Sequence, residues 1–279
     1  MRIFCTKINN YSGINERKQE IINHAAQNLG YQTISLFKFP DQVDSDQELM
    51  YRMFGIFAAF DQDDVLFFQY PSMVSLRYDT AVMNQVARYQ NATKIVIVED
   101  FGSRIDPEHY PSLDDEVNLL NQADLLILQG NEMLEELKQH GLNGVHVILQ
   151  KVWDYPLNEE PNENDVKVKD GFGILTGPNN LNPLYMGYYI RNNLPVIALQ
   201  GTPGAEFVEK FQVGLCVTNE QMQQLDIQSL VMSTPREQLE RILKKTAAMA
   251  PLMEEGAYSK TLLMHALVAA QELKIKKIK

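Results

Sequence analysis

The sequence predicts an α/β fold of two Rossmann-like domains, the second truncated. Three observations predict it: short apolar runs without polar alternation, longer segments of helical period between them, and an acidic, asparagine-rich break just past the midpoint. Strands that read as continuous apolar runs are those covered on both faces of a parallel sheet, and helices returning between them build the doubly wound arrangement.

Six runs fall in the front half: Arg2–Cys5, Thr33–Phe37, Val65–Gln69, Lys94–Val98, Leu125–Leu128 and Val145–Leu149. Between the first two, Asn15–Leu29 places Ile21, Ile22, Ala25, Ala26 and Leu29 along one helical face. Asn131–His140 reads as another helix, with Asn131 as the expected N-cap, Glu132 in the first turn and Gly141 past the last. The pattern gives an N-terminal Rossmann-like domain over 1–155 and a linker over 156–170. Within the linker Asn158–Lys169 has no apolar period and reads as exposed. A smaller domain with a C-terminal helix follows over 171–279. Its strands are Gly173–Leu175, Pro195–Leu199 and Leu215–Val217, and its helices Leu184–Arg191, Ala205–Phe211, Pro235–Met249 and Tyr258–Ile275. Two such halves place a ligand cleft between them.

Composition narrows the classes. With 279 residues, 45% hydrophobic and 22% charged, the chain is neither collagenous nor disordered. A net charge of −11 argues against nucleic acid as a partner. No apolar run approaches the ~18 residues of a membrane helix, and the N-terminus turns polar too early for a secretory signal, so no membrane insertion and a cytoplasmic location are expected. Cys5 and Cys216 sit in separate apolar runs and read as buried free thiols.

Catalytic signatures are sparse. The five histidines do not pair at metal-ligand spacing, and no phosphate-binding P-loop, dinucleotide glycine fingerprint or nucleophile elbow is present, which counts against an epimerase of the dinucleotide-dependent kind. The candidates lie where strands end. Asn10 and Ser12 follow the first strand and Gln69 ends the third. In the second half Thr176 and Gly177 follow one strand, and Gly201, Thr202 and Gly204 follow the next, opening the helix that carries Glu206. Loops of this kind beside helix N-termini suit a phosphate. An ordinary turn-and-cap role fits the same residues. Glu99-Asp100 ends the fourth strand and Asp154 lies beside the only tryptophan, and either carboxylate could handle a proton or a sugar hydroxyl. Trp153 and Tyr155 fit a hinge equally well. The basic end, Lys274 to Lys279, reads as a solvated helix terminus.

The order of several segments resembles the glucosyltransferase 3 family, also described as nucleotide-sugar-synthetase-like. The segments are Ile8-Asn9-Asn10, Val65 to Pro71, Lys94 to Asp100, Ala123 to Ile127, Gln150 to Tyr155, Gly171 to Leu175, Leu194 to Ile197, Val213-Gly214, Pro251-Leu252 and the helix from Tyr258. What that resemblance implies is a GT-B type fold. A hexose would pass from a UDP-sugar such as UDP-glucose, bound by the second domain, to a glycan on a serine-rich-repeat adhesin, bound by the first. It further implies no metal or other cofactor and a homo-oligomer.

The departures fall on the chemistry. The family's diphosphate-binding lysine aligns with Tyr185 in Pro183-Leu184-Tyr185-Met186-Gly187. A phenol cannot neutralise a leaving diphosphate, and Arg191 one turn on is the expected substitute. The family's His-Asp pair stands here as Glu99-Asp100, and the second domain looks shortened at its start. A second reading therefore stands beside the first: a catalytically inactive glycosyltransferase-like partner, or substrate-binding subunit, of an active paralogue.

Overall fold

A computed structural model describes residues 1–9, 14–150, 153–157, 160–161, 166–175 and 183–277. The chain divides into two compact units, 1–150 with 260–279, and 151–259. The last helix, which the sequence places with the second half, thus groups with the first unit.

The first unit runs β1 (Ile3–Asn9), α1 (Ile14–Asn28), β2 (Gln32–Phe37), α2 (Asp46–Ile56), β3 (Val65–Tyr70), α3 (Leu76–Ala87), β4 (Thr93–Val98), α4 (Gly102–Ile105), α5 (Leu113–Leu120), β5 (Leu125–Leu128), α6 (Asn131–Gln139) and β6 (His146–Leu149). Among the described residues these six strands form one parallel sheet in the order β2-β1-β3-β4-β5-β6. The predicted strands are all present. β1 runs four residues beyond its apolar run, because β2 pairs with it from Phe4↔Gln32 to Asn9↔Phe37.

Alternation along the strands sorts the core into two layers. Leu66, Phe68, Tyr70, Val96, Val98, Leu126 and Leu128 pack with Leu49 and Met53 of α2, Val82 of α3, Val117 of α5 and Leu137 of α6. The alternate residues, Phe67, Gln69, Ile95, Ile97 and Ile127, face the other way. On that face Tyr31, just past α1, stacks on Phe67 with ring centres 5.6 Å apart. Ile21 and Ile22 of α1 are fully buried, each contributing about 1.5–3 kcal/mol of hydrophobic stabilisation. At α6 the sequence reading needs correction. Gly130, not Asn131, is the N-cap, and it makes no side-chain cap bond.

The second unit contains β7 (Val168–Lys169), β8 (Phe172–Ile174), α7 (Pro183–Arg191), β9 (Val196–Leu199), α8 (Pro203–Phe211), β10 (Gly214–Val217), α9 (Asn219–Gln223), α10 (Ile227–Ser233) and α11 (Arg236–Glu254). Its sheet has the order β10-β9-β8-β7, and β7 is antiparallel to β8. The sheet is therefore mixed, and the end of the predicted linker supplies a fourth strand. Two residues are too few to show an apolar period. Phe172, Ile174, Ile197, Leu215, Val217, Ile227 and Ile242 form its core. Helix α12 (Ala257–Lys277) begins here and ends in the first unit, where Gln271 bonds Thr93 Oγ1 at 3.2 Å and Lys274 bonds the Asn91 carbonyl. Among the described residues no helix is long and apolar enough to cross a membrane.

Candidate functional site

The first sheet reverses its strand order between β1 and β3, the place where doubly wound sheets open a crevice at their carboxyl edge. The β1–β3 ladder is paired from Ile3↔Val65 to Cys5↔Phe67. Beyond it Gln69 takes over. Its N–H donates to Thr6 Oγ1 at 2.9 Å, its side-chain amide donates to the Thr6 carbonyl, and its Oε1 is buried without a hydrogen-bond partner.

Beside it β4 is followed by Glu99 and Asp100, which part company. Asp100 keeps a 38% exposed side chain, accepts the Phe101 N–H at 2.8 Å and lies 3.9 Å from Arg104. Glu99 is 1% exposed, and neither of its carboxylate oxygens has a hydrogen-bond partner. Burial holds its pKa well above the carboxylate range, against the pull of the Lys18 charge. Lys18 itself is buried and reaches over from α1. Its Nζ donates to the Glu99 carbonyl at 3.2 Å and to Gln129 Oε1 at 3.3 Å. Burial lowers its pKa, while the charges of Glu99 and then Asp100 act the other way.

The turn after Asp100 is fixed from the opposite layer. Glu116, fully buried, accepts the Gly102 N–H at 2.7 Å, the Ser103 N–H at 2.8 Å and the Tyr70 hydroxyl at 2.6 Å. Any side chain at Gly102 would enter the Tyr110 ring. Tyr110 in turn donates to Asp79 at 2.8 Å, and burial lifts the Asp79 carboxyl to about 7.

In the second unit α7 and α8 each follow a strand, so both begin at the carboxyl edge of the neighbouring strands β8 and β9. Gly201 takes φ +80°, a left-handed conformation that favours glycine. Thr202 is the N-cap of α8. Its Oγ1 accepts the Ala205 N–H at 3.2 Å, and its carbonyl accepts the Glu206 N–H at 3.1 Å. Pro203 has no N–H, which leaves that of Gly204 as the donor Thr202 does not engage. Glu206 is exposed in the first turn. Tyr185 is buried in the first turn of α7.

Two predicted residues are occupied elsewhere. Arg191 lies in the last turn of α7, and its guanidinium donates to the Tyr155 carbonyl at 3.2 Å and to the Leu157 carbonyl. It holds the segment entering the unit, at the opposite end of the helix from Tyr185. Asp154 is fully buried and accepts the Tyr258 N–H at 3.1 Å and the Ser259 N–H at 2.5 Å, capping the first turn of α12. Trp153 and Tyr155 are fully buried beside it, and Gly187 of α7 is glycine because a Cβ would strike the Trp153 carbonyl. Of the predicted thiols, Cys5 is buried and Cys216 only half-buried; burial pushes Cys216 up to about 12. Asn10, Ser12, Thr176 and Gly177 lie outside the described residues.

The structure thus brings Gln69 and Asp100 together on one sheet edge, and Gly201, Thr202, Gly204, Glu206 and Tyr185 on another. Sequence reasoning missed Lys18, Gln129 and Glu116. Lys18 did leave a signal, a lysine at i−3, i−4 and i−7 from Ile21, Ile22 and Ala25 on an apolar helical face.

Both halves match known families. Residues 2–152 match the glucosyltransferase 3-like N-terminal domain, and residues 167–266 the glucosyltransferase 3-like C-terminal domain. Similar curated proteins are Glucosyltransferase 3 of Streptococcus parasanguinis, 28% identical over 56% of this chain and 48% of that protein, and Glucosyltransferase 3 of Streptococcus gordonii, 27% identical over 50% of this chain and 41% of that protein. The matched stretch thus spans about half the length of each curated relative.

Proposed function

Because the chain belongs to the glucosyltransferase 3-like family, we propose that it transfers a hexose from a UDP-sugar, such as UDP-glucose, to a glycan on a glycoprotein acceptor. A serine-rich-repeat adhesin is the acceptor that the resemblance favours. The observation that carries this reading is the match of both family domains, in order, along one chain.

On this reading the second unit takes the donor. The turn at Gly201 and the start of α8 offer a diphosphate the positive end of the helix dipole. Glu206, exposed in the first turn of α8, is the proposed partner of a donor hydroxyl. The first unit takes the acceptor at its carboxyl edge, with Gln69 as a fixed amide and Asp100 as the base. The acceptor oxygen bonds to the sugar's anomeric carbon, the bond from that carbon to the diphosphate breaks with its electrons leaving on UDP, and Asp100 takes the hydroxyl proton. No metal or other cofactor enters this scheme, and the assembly is proposed to be a homo-oligomer acting in the cytoplasm.

A specific observation favours the second reading, a catalytically inactive partner of a paralogous enzyme. By the resemblance Tyr185 takes the place of the family's lysine, and Arg191 is engaged with two carbonyls at the far end of α7. Losing one donor to a developing negative charge costs about 10²–10³ in rate. Calorimetric titration with UDP and UDP-glucose, followed by a donor-hydrolysis assay, separates the readings. Binding with turnover supports the transferase, and binding without turnover supports the inactive partner. Absence of binding up to millimolar UDP overturns the nucleotide-sugar reading altogether.

A further inference from the structure

We propose that Lys18 is the positioning residue for Asp100: from α1 it clamps the peptide carbonyl that joins Glu99 to Asp100, and so fixes where the Asp100 carboxylate stands. The role given to Asp100 rests on the transferase reading above.

The peptide at Glu99 is held from three elements. Its N–H donates to the Tyr70 carbonyl of β3 at 2.9 Å. Its carbonyl accepts Lys18 Nζ of α1 at 3.2 Å and also the side-chain amide of Gln129, which follows β5. Lys18 closes the triangle by donating to Gln129 Oε1 at 3.3 Å. Because a peptide unit is planar, holding this carbonyl fixes the plane from which Asp100 extends. Asp100 then completes its turn on the Phe101 N–H, and Glu116 holds the next two amides.

Stability alone does not account for a lysine here. Lys18 shares its helical face with Ile21, Ile22 and Ala25, and it is 6% exposed. Burying an ammonium costs several kcal/mol even after relaxation, and a buried ion pair is often no better than apolar side chains of the same volume. The nearest acid, Glu99, is itself buried. A costly cation whose bonds converge on the residue before a solvent-reaching carboxylate is explained by what it positions. It also fastens the start of α1 to the ends of β4 and β5.

The test compares full-length wild type with Lys18→Met, Lys18→Arg and Gln129→Leu, reading transfer kinetics and amide hydrogen exchange. Lys18→Met is expected to lower kcat about 10–100-fold, the effect of displacing a reacting group by an ångström or less, with the donor KM within about twofold. Amides of residues 99–103 should exchange faster in that variant while those of β1 and β6 do not. Lys18→Arg should recover part of both, and Gln129→Leu should show the same changes, smaller. If Lys18→Met does not fold, Gln129→Leu decides. Unchanged exchange at 99–103 in the folded variants overturns the clamp, as does retention of the wild-type kcat. If the wild type transfers no sugar, the proposed function fails separately, and the exchange at 99–103 still decides the clamp.

Discussion

The carboxyl edges of the two sheets are built from different materials. In the first unit the edge is made of side chains: Gln69, Glu99 and Lys18 are buried, Gln129 is half-buried, and Asp100 is the carboxylate that reaches solvent. In the second it is largely backbone: a left-handed glycine, an N-capping threonine and the start of a nine-residue helix. Buried side-chain networks hold one carboxylate to a fraction of an ångström. A helix start offers diffuse positive potential that suits a phosphate without fixing its orientation as tightly. The contrast matches the division of labour proposed for the two units, proton handling in the first and anion binding in the second.

The largest expected effect breaks the first edge chemically. Asp100→Asn should reduce transfer by about 10²–10⁴-fold while leaving the melting temperature and UDP affinity near wild type, as steady-state kinetics and calorimetry would show. Next comes its scaffold. Glu116→Ala leaves the Gly102 and Ser103 amides and the Tyr70 hydroxyl without their acceptor, and should cost about 1–3 kcal/mol for each buried group left unpaired; urea unfolding measures it.

A pH series sharpens the comparison further. Burial raises the Asp79 carboxyl to about 7, so the folded first unit holds a proton that the unfolded chain releases near the ordinary carboxylate value. The native state then binds more protons than the unfolded state across that window. Stability present below about pH 4 falls as pH rises toward 7, by at most about 1.4 kcal/mol per pH unit. Asp79→Asn should flatten that slope in unfolding experiments between pH 4 and 7. The smallest effect is in the second edge: Thr202→Ala removes the α8 cap and should cost about 1 kcal/mol, with a modest loss of UDP affinity.

The same contrast governs how much could be read from the sequence. The strands of both units were legible because apolar runs covered on two faces leave an unbroken signature, and Val65 to Tyr70, buried at every position, is the clearest case. Strand β7 was not legible, since two residues between Lys167 and Asp170 carry no period. Candidate residues at strand ends could be named one by one, as Asp100 and Gly201 were, because topology alone puts them at the edge. Their partners could not. Lys18 meets Glu99 across 81 positions and Gln129 across 111, and only the fold brings them together. Asp154 and Arg191 mislead for the same reason: a buried acid beside a tryptophan and a basic residue near a helix look catalytic in sequence, whereas in the fold one caps α12 and the other holds two carbonyls.

Amide chemical-shift mapping during titration with UDP tests the central claim most directly. Shifts concentrated at residues 201–206 and at the start of α7, with residues 95–104 unmoved, are the predicted result. Shifts centred on 95–104 with 201–206 silent, or no shifts at millimolar UDP, would contradict it.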